Sequence, residues 1–148
     1  MINAALYSSA SEEWATPQSL FDQLSAEFGR FLLDVCATPQ NAKCGRFFTR
    51  HADGLSHPWT RRNWMNPPYG RTIANWVQKA DDEAHKGNLT VALLPSRTDT
   101  RWFQDHIYRY YEVRFLRGRL KFNDGDMPAP FPSMVVVFSP VSPFRLVQ

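Results

Sequence analysis

The chain has 148 residues and a formal net charge of +3, and it is rich in aromatic side chains, with 5 Trp, 5 Tyr and 11 Phe. That length suits one compact domain, and a hydrophobic share of 43% can bury a core, which excludes an intrinsically disordered chain. No apolar run approaches the roughly 20 residues of a membrane helix, no basic-then-apolar leader is visible, and the 2 cysteines (Cys36, Cys44) and 4 histidines lack the spacing of a disulfide framework or a zinc site. A reducing, cytoplasmic setting and no metal are the expectations.

Charge is unevenly placed. Residues 1–34 hold five acids and one base, residues 43–71 six bases and one acid, and residues 97–121 seven bases and three acids. Two basic stretches point to a face that meets a polyanion, although charge alone is equally consistent with a solvated surface.

Residues 1–13 are small and polar and read as a loose N-terminal arm ahead of a single domain over 14–148. Thr16-Pro17 opens a helix, with Thr as the cap and Pro in the first turn. Leu20, Phe21, Leu24 and Phe28 recur at helical spacing, and Gly29 ends the element. Residues 31–37 are nearly continuous in apolar character and read as a strand buried on both faces. A short strand fits Arg46 to Thr49, and another fits Arg62 to Asn66, stopped by Pro67-Pro68. Ile73 to His85 has Ile73, Trp76, Val77 and Ala80 on one helical face. Leu89 to Leu94 reads as a buried strand, Asp99 to Arg109 as a helix capped near Thr98, and Glu112–Leu116, Leu120–Phe122 and Met134–Ser139 as strands. This order predicts an α/β fold with a Rossmann-like, mostly parallel sheet and an antiparallel C-terminal strand. Ligands of such sheets sit beyond the carboxyl ends of the strands, where Asp34 and Asn66 both fall.

Asn66-Pro67-Pro68-Tyr69 is the sharpest feature. Two consecutive prolines hold the backbone extended and remove two amide donors, which leaves rigid carbonyl acceptors. The Asn oxygen adds an acceptor, and the Tyr ring offers a stacking face. Such a set grips an exocyclic amino group on a flat ring and directs the nitrogen lone pair at an electrophilic methyl. A proline-stiffened turn is the bland alternative.

Asn-Pro-Pro-Tyr after a strand resembles the motif of amino-group methyltransferases that use S-adenosylmethionine. The wider chain resembles the small phage-type, Dam-like DNA N6-adenine methyltransferases of phages and prophages. The resemblance runs from about Trp14 to Phe138. It is carried by Glu13-Trp14-Ala15-Thr16-Pro17, Leu33-Asp34-Val35-Cys36-Ala37, Asp53-Gly54-Leu55 with Trp59, Asn66-Pro67-Pro68-Tyr69, Trp76 with Lys79-Ala80, Leu94-Pro95-Ser96-Arg97-Thr98-Asp99-Thr100, Gly118-Arg119-Leu120-Lys121-Phe122 and Pro130-Phe131-Pro132-Ser133.

The resemblance implies a compact S-adenosylmethionine-dependent methyltransferase fold in a bacterial host cell, with DNA as partner and the target adenine flipped out of a duplex. It implies that Asn66, Pro67, Pro68 and Tyr69 hold the target adenine. Asp34, with Cys36 and Ala37, would lie at the methionine end of the cofactor, Asp53 at the cofactor adenine, and Thr16 and Pro17 in an N-terminal cofactor-contacting segment, with Asn66 also touching the cofactor. Phe122 would match a position that stacks on a flipped base; apart from the resemblance, Arg97, Arg101, Arg117, Arg119 and Lys121 read as a phosphate-contacting rim. Read alone, Asp34 is also consistent with a buried carboxylate held by backbone N–H groups, Asp53 with a plain turn, and Phe122 with core packing.

Two departures stand out. Ala37-Thr38-Pro39-Gln40 lacks the glycine-rich turn usual after the first strand, and only 32 residues (66 − 34) separate Asp34 from Asn66. No segment is long enough for a separate target-recognition domain, so discrimination falls to loops 97–104 and 117–132. Rival readings are an amino-group methyltransferase acting on RNA or on protein glutamine, and a non-catalytic DNA- or cofactor-binding remnant of the fold.

Overall fold

The computed structural model describes residues 14–141. The expected arm over residues 1–13 therefore lies outside the described residues. The elements in chain order are α1 (Gln18–Phe28), β1 (Leu33–Asp34), β2 (Arg62–Met65), α2 (Ile73–His85), β3 (Leu89–Pro95), α3 (Arg101–His106), β4 (Glu112–Phe115) and β5 (Ser133–Phe138). They build one five-stranded sheet in the order β1-β2-β3-β5-β4. β1, β2 and β3 run parallel, with Trp64 opposite both Asp34 and Val91. β5 runs antiparallel to β3 and to β4, pairing Ser133 with Pro95 and Met134 with Phe115. Among the described residues, no helix is long and apolar enough to cross a membrane.

Side chains alternate between the two faces of the sheet, and each face is covered by different helices. On one face α1 inserts Phe21 against Trp64 (ring centroids 5.3 Å apart, edge to face) and Phe31. Arg114 of β4 forks onto Glu27 at the far end of that helix, with Nη1 2.7 Å from Oε1. On the other face α2 buries Ile73, Trp76, Val77, Ala80 and Ala84, and α3 buries Trp102 and Phe103. Asp81 of α2 accepts the Tyr111 hydroxyl (2.6 Å) and is paired with His106 (2.9 Å), which ties the turn after α3 to α2. The buried Glu83 carboxylate accepts the Trp59 N–H at 2.8 Å and so fixes the approach to β2.

Four expected elements differ. The buried run 31–37 forms a ladder of only two residues, because its flanks bond individually, Leu32 N–H to the Arg62 carbonyl and Val35 N–H to the Trp64 carbonyl. Arg46 to Thr49 contributes a single parallel bridge, Phe47 beside Asp34. α3 stops at His106, since the chain turns through Ile107–Tyr110 with Arg109 at φ 72°, and its cap is the Thr100 hydroxyl rather than Thr98. Leu120–Phe122 is not a strand. It leads into a 3-10 turn over Phe122–Asp124, with Asn123 and Asp124 at φ 61° and 51°.

Candidate active site

Two buried carbonyl-side groups anchor the site at the carboxyl ends of β1 and β2. Asp34 closes β1 and is 2% exposed. Its Oδ2 accepts the Lys43 N–H at 2.9 Å and its Oδ1 accepts the Cys36 N–H at 3.4 Å. Burial raises its pKa to about 7 against the opposing pull of those backbone donors. The segment that stands where a glycine-rich turn was expected is closed by side chains instead. Thr38 N–H donates to Asn41 Oδ1 (2.7 Å), Asn41 N–H donates to Thr38 Oγ1 (3.2 Å), and Ala42 N–H reaches the Thr38 carbonyl (2.9 Å). A turn stitched this way brings the Lys43 amide back onto Asp34.

Asn66 follows β2 directly. Its Nδ2 donates to Thr16 Oγ1 at 3.0 Å and to the Trp14 carbonyl. Both partners accept, so the amide orientation is fixed and Oδ1 is left buried without a protein partner among the described residues. The Thr16 hydroxyl, expected to cap α1, is spent on Asn66. The helix instead begins at Gln18 without a side-chain cap from Pro17, and its Gln18 N–H is met by Asp124 Oδ1 at 3.2 Å.

Trp14, Thr16, Asp34, Cys36, Ala37, Asp53, Asn66, Pro67 and Pro68 border one cavity of about 280 Å³. Asp53 sits at φ 59° and its carboxylate accepts the Leu55 N–H at 3.2 Å, so it forms a turn and borders the cavity at once. Gly54 has to be glycine, because a Cβ there would lie 2.1 Å from the Val35 carbonyl oxygen and 3.2 Å from the Trp76 ring. Pro17 does not border the cavity; its carbonyl accepts the Phe21 N–H at 3.3 Å. Sequence reasoning passed over Trp14, Lys43, Arg50 and Trp76, which also border the cavity. Trp14 and Trp76 had a signal, since both stand among the residues that carry the resemblance, and Lys43 had its nearness to the first strand; Arg50 had none.

Tyr69 and Phe122 are not on the open cavity. The Tyr69 hydroxyl donates to the Leu93 carbonyl at 2.9 Å, and burial raises its pKa against the lowering effect of the nearby Arg97 charge. Its ring meets Phe131 at 5.5 Å and Phe122 at 6.3 Å, both edge to face. Trp14 completes the cluster, 5.5 Å from Phe122 and 5.2 Å from Phe131. The expected open faces of Tyr69 and Phe122 are thus turned into an aromatic plug beside Asn66. Arg97, Arg119 and Lys121 are exposed on the two loops that flank this plug. Among the described residues, no group of three His, Cys, Asp or Glu side chains is arranged to hold a metal ion.

The five-stranded sheet with its helices makes the chain a mixed α/β protein, and its cavity opens beside the carboxyl ends of β1 and β2. Within that class it belongs to the DNA N-6-adenine-methyltransferase (Dam) family, whose profile matches residues 3–142. It is 31% identical over 109 residues to the DNA N-6-adenine-methyltransferase of Escherichia phage T1, a match covering 72% of this chain and 45% of that protein. It is 28% identical over 139 residues to the DNA N-6-adenine-methyltransferase of Haemophilus phage HP1, covering 88% of this chain and 80% of that one. The chain therefore spans less than half of the T1 protein and most of the HP1 protein.

Proposed function

We propose that the chain transfers a methyl group from S-adenosylmethionine to the N6 amino group of adenine in DNA, as a single Rossmann-like domain over 14–148 acting in the host cytoplasm. The observation that carries this reading is the Asn66 amide. Its nitrogen is held by Thr16 and Trp14, and its buried oxygen has no protein partner among the described residues. A buried acceptor kept free is costly, and an amino group is the complement that satisfies it.

The residues present fit the donor. Asp34 and Asp53 line the same cavity and suit a ligand with a cationic end and an aromatic amine. When bound, S-adenosylmethionine supplies an electrophilic methyl on sulfonium. The protein's part is positional. Asn66 Oδ1 and the Pro67 carbonyl accept the two N–H groups of the target amine and turn its lone pair outward. Pro67 and Pro68 keep those acceptors rigid and free of competing amide donors. Asp34 holds a cationic group, and Thr16 orients Asn66. Tyr69 and Phe122 form a face for the flipped base once the plug opens, and Arg97, Arg119 and Lys121 hold the flanking phosphates.

The test is transfer of deuterated methyl to unmethylated duplex DNA, read as labelled N6-methyladenine after digestion to nucleosides. Asn66→Ala should lower the rate by about 100-fold or more while leaving the fold and donor binding intact. Equal labelling by the variant would sink the assignment, and label appearing only in RNA or in glutamine peptides would redirect it.

A further inference from the structure

Three buried side-chain polar atoms have no hydrogen-bond partner among the described residues: Asn66 Oδ1, Ser96 Oγ and Ser133 Oγ. They are not scattered. Asn66 follows β2, Ser96 follows β3, and Ser133 opens β5 directly opposite Pro95, with the Ser96 N–H bonded to the Pro132 carbonyl at 2.9 Å. All three lie along the rim of the sheet that faces the proposed site. Orphaned buried polar groups are rare in folded proteins, and a row of them at one edge marks groups waiting for a ligand.

The register separates the two serines. Ser133 pairs with Pro95, Leu93 with Val135, and Val91 with Trp64, so Ser133 shares the sheet face of Trp64, and Asn66 follows one residue beyond the end of β2. That face carries α1 through Phe21 on Trp64, and the plug of Trp14, Tyr69, Phe122 and Phe131 is tied to the end of β3 by the Tyr69 hydroxyl on the Leu93 carbonyl. Ser133 is 1% exposed and lies two residues after Phe131, whose ring is 5.5 Å from that of Tyr69. Hence one orphan acceptor and one orphan hydroxyl stand at the same rim of the sheet, near a cluster of flat rings.

From this we infer that Ser133 is a base-reading residue. Its hydroxyl donates to a ring nitrogen of the target adenine while Asn66 Oδ1 accepts from the amino group. The inference rests on the proposed adenine N6 activity and specifies how the base is recognised there. Adenine offers acceptors on both sides of its amino group, N1 and N7, and a serine hydroxyl can donate one bond while Asn66 takes the other. The base reaches both groups only when Phe131 leaves Tyr69, so recognition follows displacement of the plug.

The experiment compares the full chain with Ser133→Ala on duplexes whose target position carries adenine, 1-deazaadenine or 7-deazaadenine, after the methylated position has been located. Chemical denaturation of both proteins runs alongside. Losing the hydroxyl should lower kcat/KM on adenine about tenfold and leave stability equal or higher, because an unpaired buried group is removed. On the one deaza base that lacks the contacted nitrogen, the two proteins should react equally. A Ser133→Ala variant that matches the parent on adenine, or that loses the same factor on all three bases, overturns the inference. If the parent chain itself labels no adenine, the activity reading fails first and this one falls with it.

Discussion

Asp34 carries an opposed set of demands. Burial favours its neutral form and raises its pKa to about 7, while two backbone N–H groups already face its oxygens. An ordinary aspartate titrates near 3.8. With the folded pKa above the unfolded one, the protonated form stabilises the fold. That contribution is complete below about pH 4 and is lost as pH rises through 7. A cationic ligand has the opposite preference, because it needs the carboxylate. Donor affinity should therefore climb roughly tenfold per pH unit up to about 7 and level off above it, measured by calorimetric titration between pH 5.5 and 8.5. A flat profile would detach Asp34 from the donor. Asp34 and Asn66 were both legible as neighbours of a strand-end cavity, because one closes β1 and the other directly follows β2. Their partners were not, since Lys43 reaches Asp34 through a turn closed by Thr38 and Asn41, and nothing in Thr16-Pro17 distinguishes a helix cap from a clamp on Asn66.

At the scale of elements, apolar runs and periodicity placed β2, α2, β3 and β5 to within a residue or two, because each buries a continuous or strictly spaced set of side chains. Elements governed by long-range bonds were misread. Residues 120–122 have strand composition, yet the next amide, Asn123 N–H, goes to the Ala15 carbonyl at 2.8 Å, and Asn123 and Asp124 take left-handed backbone. α3 ends early without a glycine to announce it. The start of α1 depends on a carboxylate 106 positions away. Asp124→Ala should therefore cost about 1–2 kcal/mol in chemical denaturation, from the lost helix-start bond and from strain at positive φ. Asp124→Asn, which keeps an acceptor and tolerates that backbone, should stay close to the parent. Equal stability of both variants would show that the bond contributes nothing to α1.

At the scale of the whole molecule, the sheet polarises the protein. The C-terminal end of β4 points the same way as those of β1 to β3, so Arg117, Arg119 and Lys121 emerge on the side that holds Asn66, beside Arg97. Arg114 is withdrawn from that group by its pairing with Glu27 and Glu112. DNA affinity should weaken with salt, and Arg97→Ala, Arg119→Ala and Lys121→Ala should each reduce the slope of log affinity against log salt by about 1. Arg114→Ala should leave the slope unchanged. A slope that ignores all three substitutions would move the nucleic acid to another face.

The turn over Phe122–Asp124 grips the segment leading into α1 at three points. Ala15 N–H donates to Asn123 Oδ1 (3.1 Å), Asn123 N–H donates to the Ala15 carbonyl, and Gln18 N–H donates to Asp124 Oδ1. On one side of that grip lies the loop bearing Phe122. On the other lies Trp14–Thr16, which borders the cavity and holds the Asn66 amide nitrogen. A shift of one part pulls on the other, so under the proposed function donor and DNA binding should be thermodynamically linked. Whatever factor DNA imposes on donor affinity, the donor must impose on DNA affinity in return. Loosening the grip with Asp124→Ala should shrink both factors together, seen as converging donor affinities with and without DNA.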